Sequence, residues 1–399
     1  MKRTRLLFAL LFLAALTWGV LLLRDHQWHR WLATASKEDL ERYVADHPDQ
    51  PEALVRLGVL DRNAGKRAEA EKLLRHAVEL APGEETDWTE LSRTLTDDRE
   101  AIRELERFLN AMGDRAPVLA ELARRYLQIG DAATARTLTE KATALAPESP
   151  DAWRIRGDVM AATRQSPEAE KAYRKALSLR DDTETRLSLA RLWIPLQRYS
   201  EIIEICSPIV KAGASPDISG EQRARALLYT AGGRLYDPLT PEEIATLQAQ
   251  LREADALSAQ LTAGERFLPP YFLGESFLRS GKPKEAIPFL ERSVREGPMF
   301  AGSLYSLARA YRLSGDTAKA DAATARHTRL SRILGELEIY NNRLQQRPDD
   351  AETTLRLAGT LTEAGNITDA AQIYQRLISQ GKFVDTAQRR LKELSVPHY

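Results

Sequence analysis

Cysteine is almost missing: Cys206 is the only one in 399 residues. A single thiol closes no internal disulfide and supplies no paired-cysteine zinc site, so packing has to carry the stability. An excess of either charge is lacking too, since 57 Lys and Arg stand against 57 Asp and Glu. A chain-wide nucleic-acid binder needs a basic surplus to displace counterions from phosphates, and an acidic disordered chain needs the opposite surplus. Histidine is sparse, with six scattered residues. His26 and His29 alone approach metal spacing, and beside a long apolar run they read more simply as polar interface residues than as metal ligands. There is no G-x-S-x-G elbow, and Cys206 has no histidine near it in sequence. The pairs Gly58 to Gly65-Lys66 and Gly274 to Gly281-Lys282 hold six residues between glycines where a phosphate loop has four, and no Ser or Thr follows the lysine. The residues therefore point away from an enzyme, and no metal or cofactor is expected.

What is present begins with Lys2, Arg3 and Arg5, followed by an uncharged run of 18 residues from Leu6 to Leu23. As a helix this run covers roughly 27 Å, close to a bilayer's hydrocarbon thickness. A cleaved signal peptide is the alternative, but its apolar region is usually about 7 to 15 residues and leads straight into a small-residue cleavage site. The one tidy small-x-small triplet here, Ala33-Thr34-Ala35, comes only after Arg24, Asp25, Trp28 and Trp31. The expectation is an uncleaved single-pass anchor within residues 1–30, its basic stub cytoplasmic and the remaining chain outside the inner membrane, in the periplasm. Trp18, Trp28 and Trp31 are placed as interfacial rings.

The rest of the chain repeats. From Pro51 the series runs Leu54, Leu57, Gly58, Gly65, Ala70, Leu74, Ala77 and Pro82. From Ala116 the same offsets give Leu119, Leu122, Ala123, Tyr126, Gly130, Ala135, Ala142 and Pro147. Further units of 34 residues start at Pro150, Phe267, Ala301 and Ala351, and a looser one at Thr183 puts Cys206 in a core slot. Apolar residues at unit positions 4, 7, 8 and 11 make one helical stripe, and those at 20, 24 and 27 make another. Glycine near position 15 suits a left-handed turn between the helices, small residues at 8 and 20 let them approach, and proline at 32 ends the second. A degenerate unit from Glu85 loses about three residues before Ala101, which predicts a shorter turn. Ser36 to Pro48 reads as a lone second helix with Ser36 as N-cap and Leu40 and Tyr43 inward. Residues 207–266 break the pattern: Pro208, Pro216, Gly220, Gly232, Gly233 and Pro238 punctuate two helical stretches, the second starting at Thr240-Pro241-Glu242-Glu243. The segment is either a divergent helix pair or a hinge between an N-terminal block, 31–206, and a C-terminal block, 267–399, closed by a polar capping helix from Asp385 to Leu394.

These units resemble the tetratricopeptide repeat (TPR) family, whose W-x2-L-G-x2-Y, A-x3-F and closing proline pattern is met at the positions just given. The resemblance implies an all-α fold, a right-handed α-solenoid of 34-residue helix-turn-helix repeats behind one N-terminal transmembrane helix. It also implies a concave groove lined by first-helix positions 2, 5, 6, 9, 12 and 13. Those positions hold Arg124, Arg154, Asp158, Arg191, Tyr271, Glu275, Tyr305, Arg309 and Arg312, with apolar Val55, Val59, Leu187, Phe272 and Leu355. Arginine and tyrosine suit protein or peptide binding, through bidentate carboxylate pairing and broad contact area. Arginine outnumbers lysine 44 to 13, however, and solvated arginines or helical pairs at i+4 are the plainer explanation. The family's chaperone-binding carboxylate clamp needs asparagine at position 9, and no unit has it. The function expected is a non-enzymatic scaffold at the inner membrane, binding protein or peptide partners in envelope assembly or secretion, with exopolysaccharide export favoured. Cytochrome c maturation and pilus biogenesis are alternatives. A glycan-binding groove that guides nascent polysaccharide is another, for which Tyr271, Phe272 and Tyr305 would supply exposed aromatic rings.

Overall fold

The computed structural model describes residues 26–394. The expected anchor, Leu6 to Leu23, lies outside the described residues, as do Lys2, Arg3, Arg5, Trp18 and His398. Among the described residues there is no strand, and no helix is long and apolar enough to cross a membrane. Residues 26–34 are helical (α1) and are followed by α2, Lys37–Asp46. Helix pairs follow: α3 (Pro51–Asn63) with α4 (Arg67–Leu80), α5 (Glu85–Thr94) with α6 (Asp98–Met112), and α7 (Ala116–Gln128) with α8 (Ala132–Leu145). Next come α9 (Pro150–Ala162) with α10 (Ser166–Leu179), α11 (Thr183–Trp193) and α12 (Tyr199–Ala212), and α13 (Gly220–Arg234) with α14 (Pro241–Ala256). The last are α15 (Leu268–Arg279) with α16 (Pro283–Glu296), α17 (Ala301–Ser314) with α18 (Thr317–Gln346), α19 (Ala351–Glu363) with α20 (Ile367–Ser379), and α21 (Val384–Leu394). The chain divides into two compact units between Leu192 and Trp193.

The pairs α3/α4, α9/α10 and α15/α16 share one close contact. The residue at unit position 8 lies under the side chain at position 24, and bulk at 24 demands its absence at 8. A Cβ on Gly157 would stand 2.5 Å from Cε1 of Tyr173, and one on Gly274 would stand 2.4 Å from Cγ of Leu290. Tyr173 and Leu290 are fully buried in return. At position 15, Gly65, Gly130, Gly281, Gly315 and Gly365 take φ between 69° and 91°. Arg164 fills the same position between α9 and α10 at φ 60°, so a packed pair takes this turn without glycine, and Gln197 has φ 53°.

Several expectations are corrected. The degenerate unit keeps a three-residue connection, 95–97, like 64–66 of the preceding pair, and loses its residues from the first helix, ten residues in α5 against thirteen in α3. The second-helix stripe of α6 fixes where the turn must end, so α5 stops early. Helix α2 is not a lone second helix: Trp28 and Trp31 of α1 stack on each other and meet Tyr43 of α2 with tilted rings, at ring distances of 5.0–5.2 Å. Ser36 caps α2 and Leu40 is its buried residue. Pro208 does not break the chain but sits inside α12, which runs on to Ala212. Gly232 and Gly233 likewise lie inside α13 as contact points. A Cβ on Gly232 would meet the Phe272 ring at 3.0 Å, and one on Gly233 would meet Ile203 at 3.3 Å. Thr240 and Glu243 form a capping box at the start of α14, and Leu247, Leu251 and Ala254 pack it on α13. Cys206 is buried in the core slot that the repeat assigns it.

Gly274→Leu is expected to lower the melting temperature of the second unit by the equivalent of several kcal/mol, because it forces α15 and α16 apart. Arg164→Gly should be neutral or stabilising, since relief of about 1 kcal/mol of left-handed strain offsets the added chain entropy. Thermal melts followed by circular dichroism check both, and an undisturbed Gly274→Leu melt would refute the close approach. Asp87 on α5 supplies a pH test. Burial, and then the charges of Glu84 and Glu52, push its carboxyl up to about 7. The folded state thus holds the proton more tightly than the unfolded chain, and stability falls as pH rises from about 4 through 7. Asp87→Asn should therefore melt higher than the parent at pH 8 and alike at pH 4. An equal shift at both pH values would contradict the burial argument.

Candidate partner-binding surface

In the first unit, helices α7, α9 and α11 carry Arg124, Arg154, Asp158 and Arg191 at positions 5 and 9. The first two arginines are held within the chain. Arg124 donates through Nε to Glu121 Oε2 at 3.0 Å, and Arg154 donates to Asp158 Oδ2 at 3.2 Å across one helical turn. Asp158 also accepts from the Tyr173 hydroxyl at 2.8 Å. Burial raises the Asp158 carboxyl above the usual range, against the pull of Arg154 and Arg191, and burial together with Asp158 raises Tyr173. Arg191, by contrast, is exposed. It is the charged end of a supported cluster, Tyr173 to Asp158 to the two arginines, and its guanidinium can pair with an incoming carboxylate. Leu187 is buried, and Val55 and Val59 are half-buried, so these apolar positions serve packing first.

The residue that sequence reasoning missed here is Glu121. It is 1% exposed, accepts from Ser92 Oγ at 3.2 Å and from Arg93 Nε at 3.4 Å as well as from Arg124, and lies 3.7 Å from Arg125 Nε. Arg125, also buried, reaches Asp98 at 2.5 Å and the backbone carbonyls of Ser92 and Leu95, which closes the end of the shortened α5. A glutamate and two adjacent arginines at repeat positions 6, 9 and 10 were the signal available in the sequence.

In the second unit the expected residues separate into two groups. Tyr271 and Phe272 of α15 lie against each other at 5.2 Å, their planes tilted by 54°, and Tyr271 meets Phe300 edge-on at 4.9 Å. Burial, then Glu275, pushes the Tyr271 hydroxyl up to about 12. These two rings are half-buried, so they do not form an exposed aromatic track. Tyr305, Arg309 and Arg312 of α17 face the first half of α18, where Tyr305 lies against His327 at 5.7 Å and Arg312 reaches Thr324 at 3.5 Å. Together with Ala308 and Leu313 they line a pocket of about 310 Å³. Glu275 links the groups loosely, 3.9 Å from Arg309. Leu355 of α19 packs with the separate core of α19 to α21. Among the described residues no three His, Cys, Asp or Glu side chains are grouped to hold a metal ion.

Glu121→Ala should cost about 3–5 kcal/mol, because it leaves buried Arg125, half-buried Arg124 and exposed Arg93 without their shared carboxylate. Denaturant unfolding of the variant checks this, and an unchanged midpoint would show that the carboxylate is dispensable.

The family model of the tetratricopeptide repeat matches residues 51–84, 121–183 and 271–330. No curated protein matches the chain in sequence. Among solved structures, the crystal structure of the APC/C hetero-tetramer Cut9-Hcn1 contains a chain 14% identical, with a TM-score of 0.57 over 74% of this chain and 57% of that one. This chain therefore spans a little over half of that neighbour's length, and the likeness is one of fold. A thermophilic TPR protein of Thermus thermophilus is 20% identical over 45% of this chain and 98% of its own, with a TM-score of 0.41. The human IFIT1 dimer with m7Gppp-AAAA is 16% identical over 86% of this chain and 94% of its own, also with a TM-score of 0.41.

Proposed function

Since the chain is a tetratricopeptide-repeat protein, a member of a class of generally non-catalytic scaffolds that bind protein partners, we propose that it holds acidic peptide segments of envelope proteins at the outer face of the inner membrane. The observation that carries the peptide reading is Arg191. It is exposed beside the half-buried Asp158 carboxylate and the buried Tyr173, whereas Arg124 and Arg154 are held by Glu121 and Asp158. Such a guanidinium recognises a carboxylate by charge and fork geometry. The uncharged run Leu6 to Leu23 behind three basic residues supports the anchored, periplasmic placement. Among envelope processes, exopolysaccharide export is the first to examine, ahead of cytochrome c maturation and pilus biogenesis. The glycan reading draws little support, because Tyr271 and Phe272 are half-buried against each other and Tyr271 meets Phe300 edge-on.

A photoreactive residue at position 191 in cells, with mass spectrometry of the crosslinked peptide, is expected to capture an acidic segment of an envelope protein. Arg191→Glu combined with Arg124→Gln and Arg154→Gln should leave the far-ultraviolet circular dichroism intact and reduce that capture at least tenfold. Undiminished capture would move the site off this face. Alkaline phosphatase fused after residue 394 should be active if the helical units are periplasmic, and inactive if they are not.

A further inference from the structure

The face formed by α17 and the first half of α18 has no covering helix among the described residues, although the repeat places one there. In the other pairs the residues at unit positions 24 and 27 are buried under the element that follows. Leu74 and Ala77 are fully buried, as are Leu290 and Ser293, and Tyr374 and Leu377 are within 1% of it. In the pair begun at Ala301 the same positions hold Thr324, which is exposed, and His327, which is half-exposed. The cause is the length of α18, 30 residues. Helix α19 packs against its far half, where Glu363 pairs with Arg329 at 3.1 Å and with Arg332, and Thr360 donates to Glu336 at 3.2 Å. The near half is passed over. Tyr305 and Leu313 remain 60% and 59% exposed beside the 310 Å³ pocket.

The charges on this face indicate what would cover it. In the first unit, Arg62 at position 12 of α3 bonds Glu90 at position 6 of α5 at 2.6 Å. Arg93 at position 9 of α5 reaches Glu121 at position 6 of α7 at 3.4 Å. Arg309 and Arg312 stand at those same positions, 9 and 12, on α17. Their carboxylate contacts are long, 3.9 Å to Glu275 and 3.8 Å to Asp321, Arg312 also touches Thr324 at 3.5 Å, and each side chain is nearly half or more exposed. Helix α19 could not serve them, as it carries Arg356 at its own position 6.

We infer that this face docks an amphipathic α-helix of a partner protein, seated in the register of the next first helix. Its apolar stripe rests on Ala308, Leu313 and the Tyr305 ring, and a glutamate near its sixth residue lies between Arg309 and Arg312. Thr324 and His327, polar residues in slots that are otherwise buried, keep the uncovered face wettable and suit reversible docking. The inference rests on the scaffold reading but uses a surface apart from Arg191, so the failure of one leaves the other standing.

The probe is a fluorescein-labelled peptide of residues 116–129, the chain's own α7 with Glu121 at position 6, held helical by a lactam bridge on its outer face and titrated against the full chain by anisotropy. Saturable binding is expected, weakened at least tenfold by Arg309→Glu with Arg312→Glu. Binding to that variant should return when the peptide carries Glu121→Arg. Both arginines are solvent-facing, so an unchanged thermal melt of the variant is expected to accompany the loss. Absence of saturable binding, or binding indifferent to the double substitution, overturns the inference. So does a concentration-dependent dimer of the unliganded chain in sedimentation that the same substitution abolishes, since a second copy would then be the occupant.

Discussion

A first helix and its partner approach closely because one residue has almost no side chain and the residue facing it has a large one. Gly58 under Leu74, Gly157 under Tyr173 and Gly274 under Leu290 are versions of the same lock, and the buried ring or isobutyl group fills the space that a Cβ would need. Most of these close pairs carry a left-handed residue in the connection, usually glycine, and between α9 and α10 Arg164 adopts the same conformation.

Between pairs, the stacking surfaces are apolar at the centre and charged at the rim. Glu121 shows the charged part at its most buried, one carboxylate shared by Arg93, Arg124 and a serine, with Arg125 close by and bridging to Asp98. A buried carboxylate with several donors orders its surroundings more than it adds net stability. It lies at the end of the shortened α5, where three residues of helix are missing and Arg125 donates to the carbonyls of Ser92 and Leu95. The same arginine-to-glutamate pairing between successive first helices is missing at Arg309 and Arg312 of α17.

Binding surfaces arise here from what stacking leaves unused. Arg124 and Arg154 looked equivalent to Arg191 by position, but the chain itself satisfies the first two. Tyr271 and Phe272 looked like a ligand-facing track, but Phe300, in the loop before α17, completes an aromatic cluster with them. Position within a repeat selects candidates, and the local ion pairs and ring contacts decide which remain available.

The repeat register, the helix pairs, the small residue at position 8, the left-handed turn, the cap of α14 and the core place of Cys206 were all legible in the sequence, because each depends on spacing along one helix or across one turn. The course of Pro208, Gly232 and Gly233 was not legible. Proline and glycine signal a break when read locally, yet here α12 and α13 run through them, and the two glycines admit Ile203 and Phe272, distant in sequence, against the helix. The partnership of Glu121 with three arginines, the pairing of α1 with α2, and the stretch of α18 that α19 bypasses also needed the tertiary structure. Each is a contact between elements, and the choice among several sterically possible neighbours is made by packing in three dimensions rather than by any periodicity in the chain.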